Sequence, residues 1–169
     1  MWFDLEAVPL EFTESSPFHI ETVAIIDATP ERVFDILATG ERQSEWFQDF
    51  VENRWTTAAR GVGAEREVEL KLFTVKERFL AWDRGKRLAF HIYGSTLPVT
   101  RATIEDMVLE AVDVRGARAT RLTWRVHYRP TLPARLLHPL MRLIFGRMFK
   151  AGAEGLARYV KAHPGSSTA

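Results

Sequence analysis

Arg66, Glu77 and Glu105 are the ionisable residues of this chain best placed to do chemistry, because each alternates with apolar neighbours. Successive side chains of a β-strand point to opposite faces, so residues two apart share a face. If Met107 and Leu109 face a core, Glu105 and Thr103 follow them inward. If Phe79 does, so does Glu77; if Val68 and Leu70 do, so does Arg66. A carboxylate enclosed by apolar groups loses hydration, its pKa rises, and it becomes a proton-transfer group. An enclosed guanidinium orients a ligand's oxygens. Glu77 and Glu105 are thus the catalytic candidates and Arg66 a ligand-binding candidate. The commoner outcome for such residues is the rim of the sheet, in water or in ordinary ion pairs. A one-residue bulge would turn any of the three outward.

Other chemistries lack their residues. With no cysteine, disulfides and thiolate sites are excluded, and a reducing compartment is compatible. The five histidines show no H-x-x-x-H spacing, so no metal is expected. His127 is expected in solvent; His91 either borders a pocket or does not. No serine sits in G-x-S-x-G, and Gly61-Val62-Gly63 lacks the third glycine of a dinucleotide loop, so no cofactor is expected. A net charge of +1 argues against a nucleic-acid partner. The first residues lack the pattern of a secretory signal, and no apolar run reaches the ~20 residues that span a bilayer. A cytoplasmic protein without stable membrane insertion is expected; the pattern says nothing of oligomeric state.

The elements that must position these residues change period along the chain. Residues 1–17 read as an irregular arm with room for a short strand, and 18–27 as a strand. Thr29-Pro30-Glu31 is a helix start, and Gly40 ends that helix. A second short helix covers 41–47. From 50 to 130 the chain reads as six strands, at 50–58, 64–72, 75–83, 87–93, 101–114 and 119–129. Short turn-forming separators between them imply an antiparallel meander. After Pro130 and Pro133 the period is helical, and residues 163–169 read as a disordered tail.

In the last strand Leu122, Trp124, Val126 and Tyr128 share the core face; Arg121, Thr123, Arg125, His127 and Arg129 share the other. Leu140, Ile144 and Met148 form the helix stripe that would cover them. With Phe79, Met107 and Leu109, these residues line either a ligand pocket or a filled core. The apolar density from Leu136 to Phe149, beside Arg135, Arg142, Arg147 and Lys150, fits an interfacial helix. A core helix gripping the sheet explains it more simply. Gly146, Gly152 and Gly155 suit close approach to that sheet, or a bend.

One strand, two short helices, six strands and a long helix resembles the START-like, helix-grip superfamily, the SRPBCC type. That superfamily includes the polyketide cyclase/dehydrase and lipid-transport family. Ile26-Asp27-Ala28-Thr29-Pro30-Glu31-Arg32-Val33-Phe34 looks like its strand-to-helix opening, and Gly61-Val62-Gly63-Ala64-Glu65-Arg66 like its second-to-third strand turn. Arg121-Leu122-Thr123-Trp124 resembles its last strand, and Gly155-Leu156 with Tyr159 the end of its helix. The likeness spans 18–162, read as a single ligand-binding domain. The family's usual Gly-Gly-Thr is here Gly116-Ala117-Arg118-Ala119-Thr120, so a longer hairpin is expected. The resemblance implies an α+β fold in which a curved antiparallel sheet of about seven strands wraps a long C-terminal helix. It also implies an internal cavity for a small hydrophobic or lipid-like ligand, and tips the pocket-or-core choice toward a pocket. Binding, storage, transport or sensing of such a molecule is the leading expectation. A cofactor-independent cyclase/dehydratase is the first alternative, and a chaperone-like interaction domain the second.

Overall fold

The computed structural model describes residues 1–164; most of the expected tail lies outside the described residues. The chain order is β1 (Phe3–Asp4), α1 (Phe12–Ser15), β2 (Phe18–Ile26), α2 (Pro30–Thr39), α3 (Gln43–Trp46), β3 (Phe50–Trp55), β4 (Glu65–Leu70), β5 (Thr74–Asp83), β6 (Arg87–Ser95), β7 (Thr100–Val114), β8 (Ala117–Pro130), α4 (Leu132–Leu136) and α5 (His138–Ala162). Seven strands pair antiparallel in the order β2-β8-β7-β6-β5-β4-β3, and β1 adds to β6. This is a curved sheet gripping one long helix, with two short helices after β2.

Local chemistry explains the joints. Thr29 caps α2, its hydroxyl accepting from Arg32 N at 3.4 Å, with Pro30 in the first turn. The β7–β8 hairpin is long in its strands and tight at its turn. Val114 pairs with Ala117 across Arg115 and Gly116, both at positive φ (53° and 81°), as a two-residue turn of primed type requires.

The helix faces differ from the expected stripe. Met148 faces the sheet, but Leu140 and Ile144 are 53% and 51% exposed. The covering face runs instead through Met141, Phe145 and Phe149 to Gly152, Ala153, Leu156 and Val160. Leu136–Phe149 is apolar nearly all round, so periodicity admits two stripes about 100° apart. Contacts outside the segment choose between them. Gly155 lies so close to Trp46 that an added Cβ would sit 2.0 Å from its carbonyl oxygen, and a Cβ on Gly152 would meet the Phe47 ring at 2.7 Å. These glycines therefore serve approach to the α3 segment rather than to the sheet. Gly146 has nothing within 4 Å of such a Cβ and no packing role. Tyr159 donates to Glu41 at 2.9 Å, and Glu41 is held by Arg32 through two hydrogen bonds of 2.7 and 2.9 Å. The C-terminal half of α5 is thus anchored, while its first half leans over the sheet.

The outer face of the sheet is also covered, which period two alone did not reveal. Phe12 packs on Ala102 and Ile104, with Val8 and Leu80 alongside. Glu6 pairs with Arg101 and Arg129. His127, expected in solvent, is buried beneath this arm and shares a 2.9 Å hydrogen bond with Ser16. His91 is also buried, and it is not part of the cavity lining.

Candidate functional site

One end of the space between sheet and helix is filled and the other is hollow. The filled end holds Leu109 and Leu122, cross-strand partners packed in one core with Val33 and Phe34 of α2. Phe79 is fully buried among the rings of Trp55, Trp82 and Phe90, with centroids 5.6, 4.9 and 5.3 Å away. Phe79, Leu109 and Leu122 support the site without lining it, and Leu140 and Ile144 are outside it altogether.

The hollow end is an open-mouthed cavity of about 100 Å³, measured as the space open to the centre of a water-sized molecule. Of the residues expected there, Arg66, Glu77, Glu105, Met107, Trp124, Val126, Tyr128 and Met148 are on its wall. Helix α5 contributes only apolar side chains: Met141, Phe145, Met148 and Phe149. Sequence reasoning did not assign the contributions of Trp46, Phe47 and Phe73, which come from short connecting segments with no periodicity to orient them. The mouth lies where lining residues become half-exposed, at Phe73, Leu97, Val99, Phe145 and Met148.

The charged groups converge on the sheet wall. Arg66 and Glu77 are cross-strand partners on β4 and β5, and Arg66 Nε donates to Glu77 Oε2 at 2.6 Å. Both are buried, so the commoner rim placement does not hold for them. The sheet bulges nearby, but the residue left over at the first irregularity is Tyr93 of β6. Val75, Glu77 and Phe79 of β5 therefore keep one face. The guanidinium carbon lies 5.1–5.5 Å from the ring centres of Trp55, Phe79 and Phe90, within cation–π range. Nη1 is buried with no hydrogen-bond partner.

Glu105 sits two registers away, opposite Phe90 on β6 and Val126 on β8. The indole of Trp124 donates to its Oε2 at 3.0 Å, a diagonal cross-strand contact. Its remaining accessible surface faces the cavity. Burial pushes the Glu105 carboxyl up to about 8; the charge of Glu77 adds to this, while Trp124 and Arg66 oppose it. Burial also raises Glu77, partly offset by Arg66. Raised this far, the carboxyl holds its proton at neutral pH. A protonated Glu105 has an O–H to donate as well as the oxygen that accepts from Trp124. At the α5 end, the Tyr128 hydroxyl and His138 Nε2 share a 2.8 Å hydrogen bond that fixes the start of the helix over the cavity.

The family model described as polyketide cyclase / dehydrase and lipid transport matches residues 17–161. The chain belongs to this family. An uncharacterised protein of Mycobacterium tuberculosis is 28% identical over 166 residues, 95% of each chain, as is one of Mycobacterium bovis. Among solved structures, the Zhui aromatase/cyclase from a Streptomyces species superposes with a TM-score of 0.74 at 12% identity, covering 89% of this chain and 98% of its own. A START superfamily protein from Mycobacterium smegmatis gives 0.70 at 11% identity, covering 85% and 97%. Identities this low establish the fold alone. Family membership adds that the cavity is of the ligand-binding or cyclase-like kind.

Proposed function

We propose that the chain binds a small, mainly apolar molecule whose one polar end meets Arg66 and Glu105. What supports this is an apolar hollow whose charged groups all lie on the sheet wall while α5 offers none. Apolar burial supplies most of the affinity, at ~25 cal/mol per Å² removed from water. The polar end supplies orientation. A protonated Glu105 and the Arg66 guanidinium both donate, so they select a ligand with acceptor oxygens. The cyclase-like reading is kept as a second one because of Glu105, a poised acid able to protonate a folded, reactive chain without a cofactor.

Displacement of a dansyl-labelled fatty acid tests the first reading. Wild-type protein is expected to take up the probe with a blue-shifted emission, and fatty acids to displace it better than alkanes of equal length. Val126→Phe, which fills the cavity from β8, is expected to abolish uptake while leaving the thermal transition in place. No uptake by the wild type, or equal uptake by the filled variant, refutes the reading.

A further inference from the structure

Leu132–Phe149 carries more apolar surface than the cavity uses. Beside the lining face of α5, Leu140, Leu143 and Ile144 are exposed, as are Leu132, Leu136 and Leu137 of the α4 segment, from 49% at Leu143 to 87% at Leu136. Scattered exposed leucines are ordinary; five leucines and an isoleucine exposed within thirteen residues of two consecutive helices are a concentration of the kind that marks a contact surface. The grip of the sheet accounts for the other face of α5, so it does not account for this one.

The charge around the patch is one-sided. From Pro130 to Ala153 there is no Asp or Glu, while Arg135, Arg142, Arg147 and Lys150 are present. These four cations outnumber the whole chain's net +1, so the remainder of the molecule is net negative. Arg135, Arg142 and Arg147 are exposed and make no ion pair among the described residues. Arg147 follows Leu143 and Ile144 by one helical turn, on the leucine face itself. The β4–β5 turn repeats the pairing. Leu72 is 82% exposed beside exposed Lys71, and the next residue, Phe73, packs edge-on against Phe145 at 6.0 Å. Helix face and hairpin tip therefore flank the cavity mouth together.

We infer that this α4–α5 leucine face, with the Leu72 tip, docks the protein peripherally on an anionic lipid bilayer. Leucines entering the acyl boundary while arginines meet lipid phosphates is the chemistry of an interfacial amphipathic helix. Among the described residues no helix is long and apolar enough to cross a membrane, so the contact is a surface one. A two-fold contact with a second copy would set the same cations against one another. The docking stands on the outer surface and is independent of what the cavity binds.

Cosedimentation of the full chain with vesicles tests it. Wild-type protein is expected to bind vesicles of phosphatidylcholine and phosphatidylglycerol mixed at roughly 2:1, and less so as salt rises. It is expected to bind phosphatidylcholine alone far more weakly. Each cation near an anionic surface strengthens partitioning about fivefold, so Arg135→Gln, Arg142→Gln and Arg147→Gln combined should weaken it on the order of 100-fold. Leu136→Ser with Leu140→Ser should weaken binding without changing the thermal transition, both side chains being exposed. These variants should keep fatty-acid probe uptake in solution, which separates this inference from the cavity reading. The inference is overturned by wild-type binding that ignores lipid charge, by no binding, or by a triple variant that binds like wild type. A solution dimer dissolved by the leucine substitutions would also overturn it, assigning the patch to a second copy.

Discussion

Glu105→Gln isolates the feature on which the chemistry of the cavity rests. The substitution keeps size and an oxygen able to accept from Trp124, and removes the titration. Raising the carboxyl from its ordinary 4.5 to about 8 corresponds to about 5 kcal/mol at most, since each pH unit is worth about 1.4 kcal/mol. Water admitted by the open cavity screens part of this, leaving about 2–4 kcal/mol. The sign follows from proton counting. Below pH 4.5 the group is protonated in both folded and unfolded chains. Between about 4.5 and 8 only the unfolded chain ionises, so the folded state binds more protons and stability falls as pH rises. Wild type should therefore lose stability relative to Glu105→Gln from pH 5 to pH 8.5. Urea unfolding of both proteins across that range measures it, and contributions from His91 and His127, common to both, cancel in the difference. A wild-type-minus-variant gap that stays flat within about 0.5 kcal/mol would show a solvated carboxylate and remove the proton-source role.

Four further substitutions, two at the buried ion pair and two on α5, test the packing. Glu77→Gln leaves the buried Arg66 cation without the carboxylate charge now 2.6 Å away and should cost about 3–5 kcal/mol in chemical denaturation. Adding Arg66→Met, which removes that charge as well, should recover a substantial part. Gly155→Ala drives a methyl into the Trp46 carbonyl and should cost about 3 kcal/mol or more. Gly146→Ala, with open space around it, should stabilise by about 0.5–1 kcal/mol. Equal effects from the two would show that helix propensity, not close approach, governs α5.

Period two was a strong guide to the sheet because side chains on β7 and β8 have one inner face and one outer face. Glu105, Met107, Trp124, Val126 and Tyr128 all follow it. It could not reveal that the outer face is roofed, since Phe12 reaches Ala102 and Ile104 from ninety residues away. For that reason alternation alone puts His127 in solvent, whereas the N-terminal arm buries it. The helix was the weaker guide. A segment apolar all round has no polar side to fix its rotation, so Leu140 and Ile144 fall one position off the covering face, and a core helix accounts for only part of the apolar density from Leu136 to Phe149. Nor does periodicity locate where packing stops. Phe79, Leu109 and Leu122 obey the same alternation as the lining residues, and only three-dimensional filling by Trp55, Trp82, Val33 and Phe34 separates them from the hollow.

Native mass spectrometry of the freshly purified protein tests the cavity claim most directly. One noncovalently held molecule per chain is expected, mainly apolar and bearing an acceptor oxygen. It should be released by acid or organic solvent and absent from Val126→Phe. A protein that runs at its bare mass, and stays there after incubation with fatty acids or aromatic polyketide-like compounds, would show that the space between sheet and helix holds no such ligand.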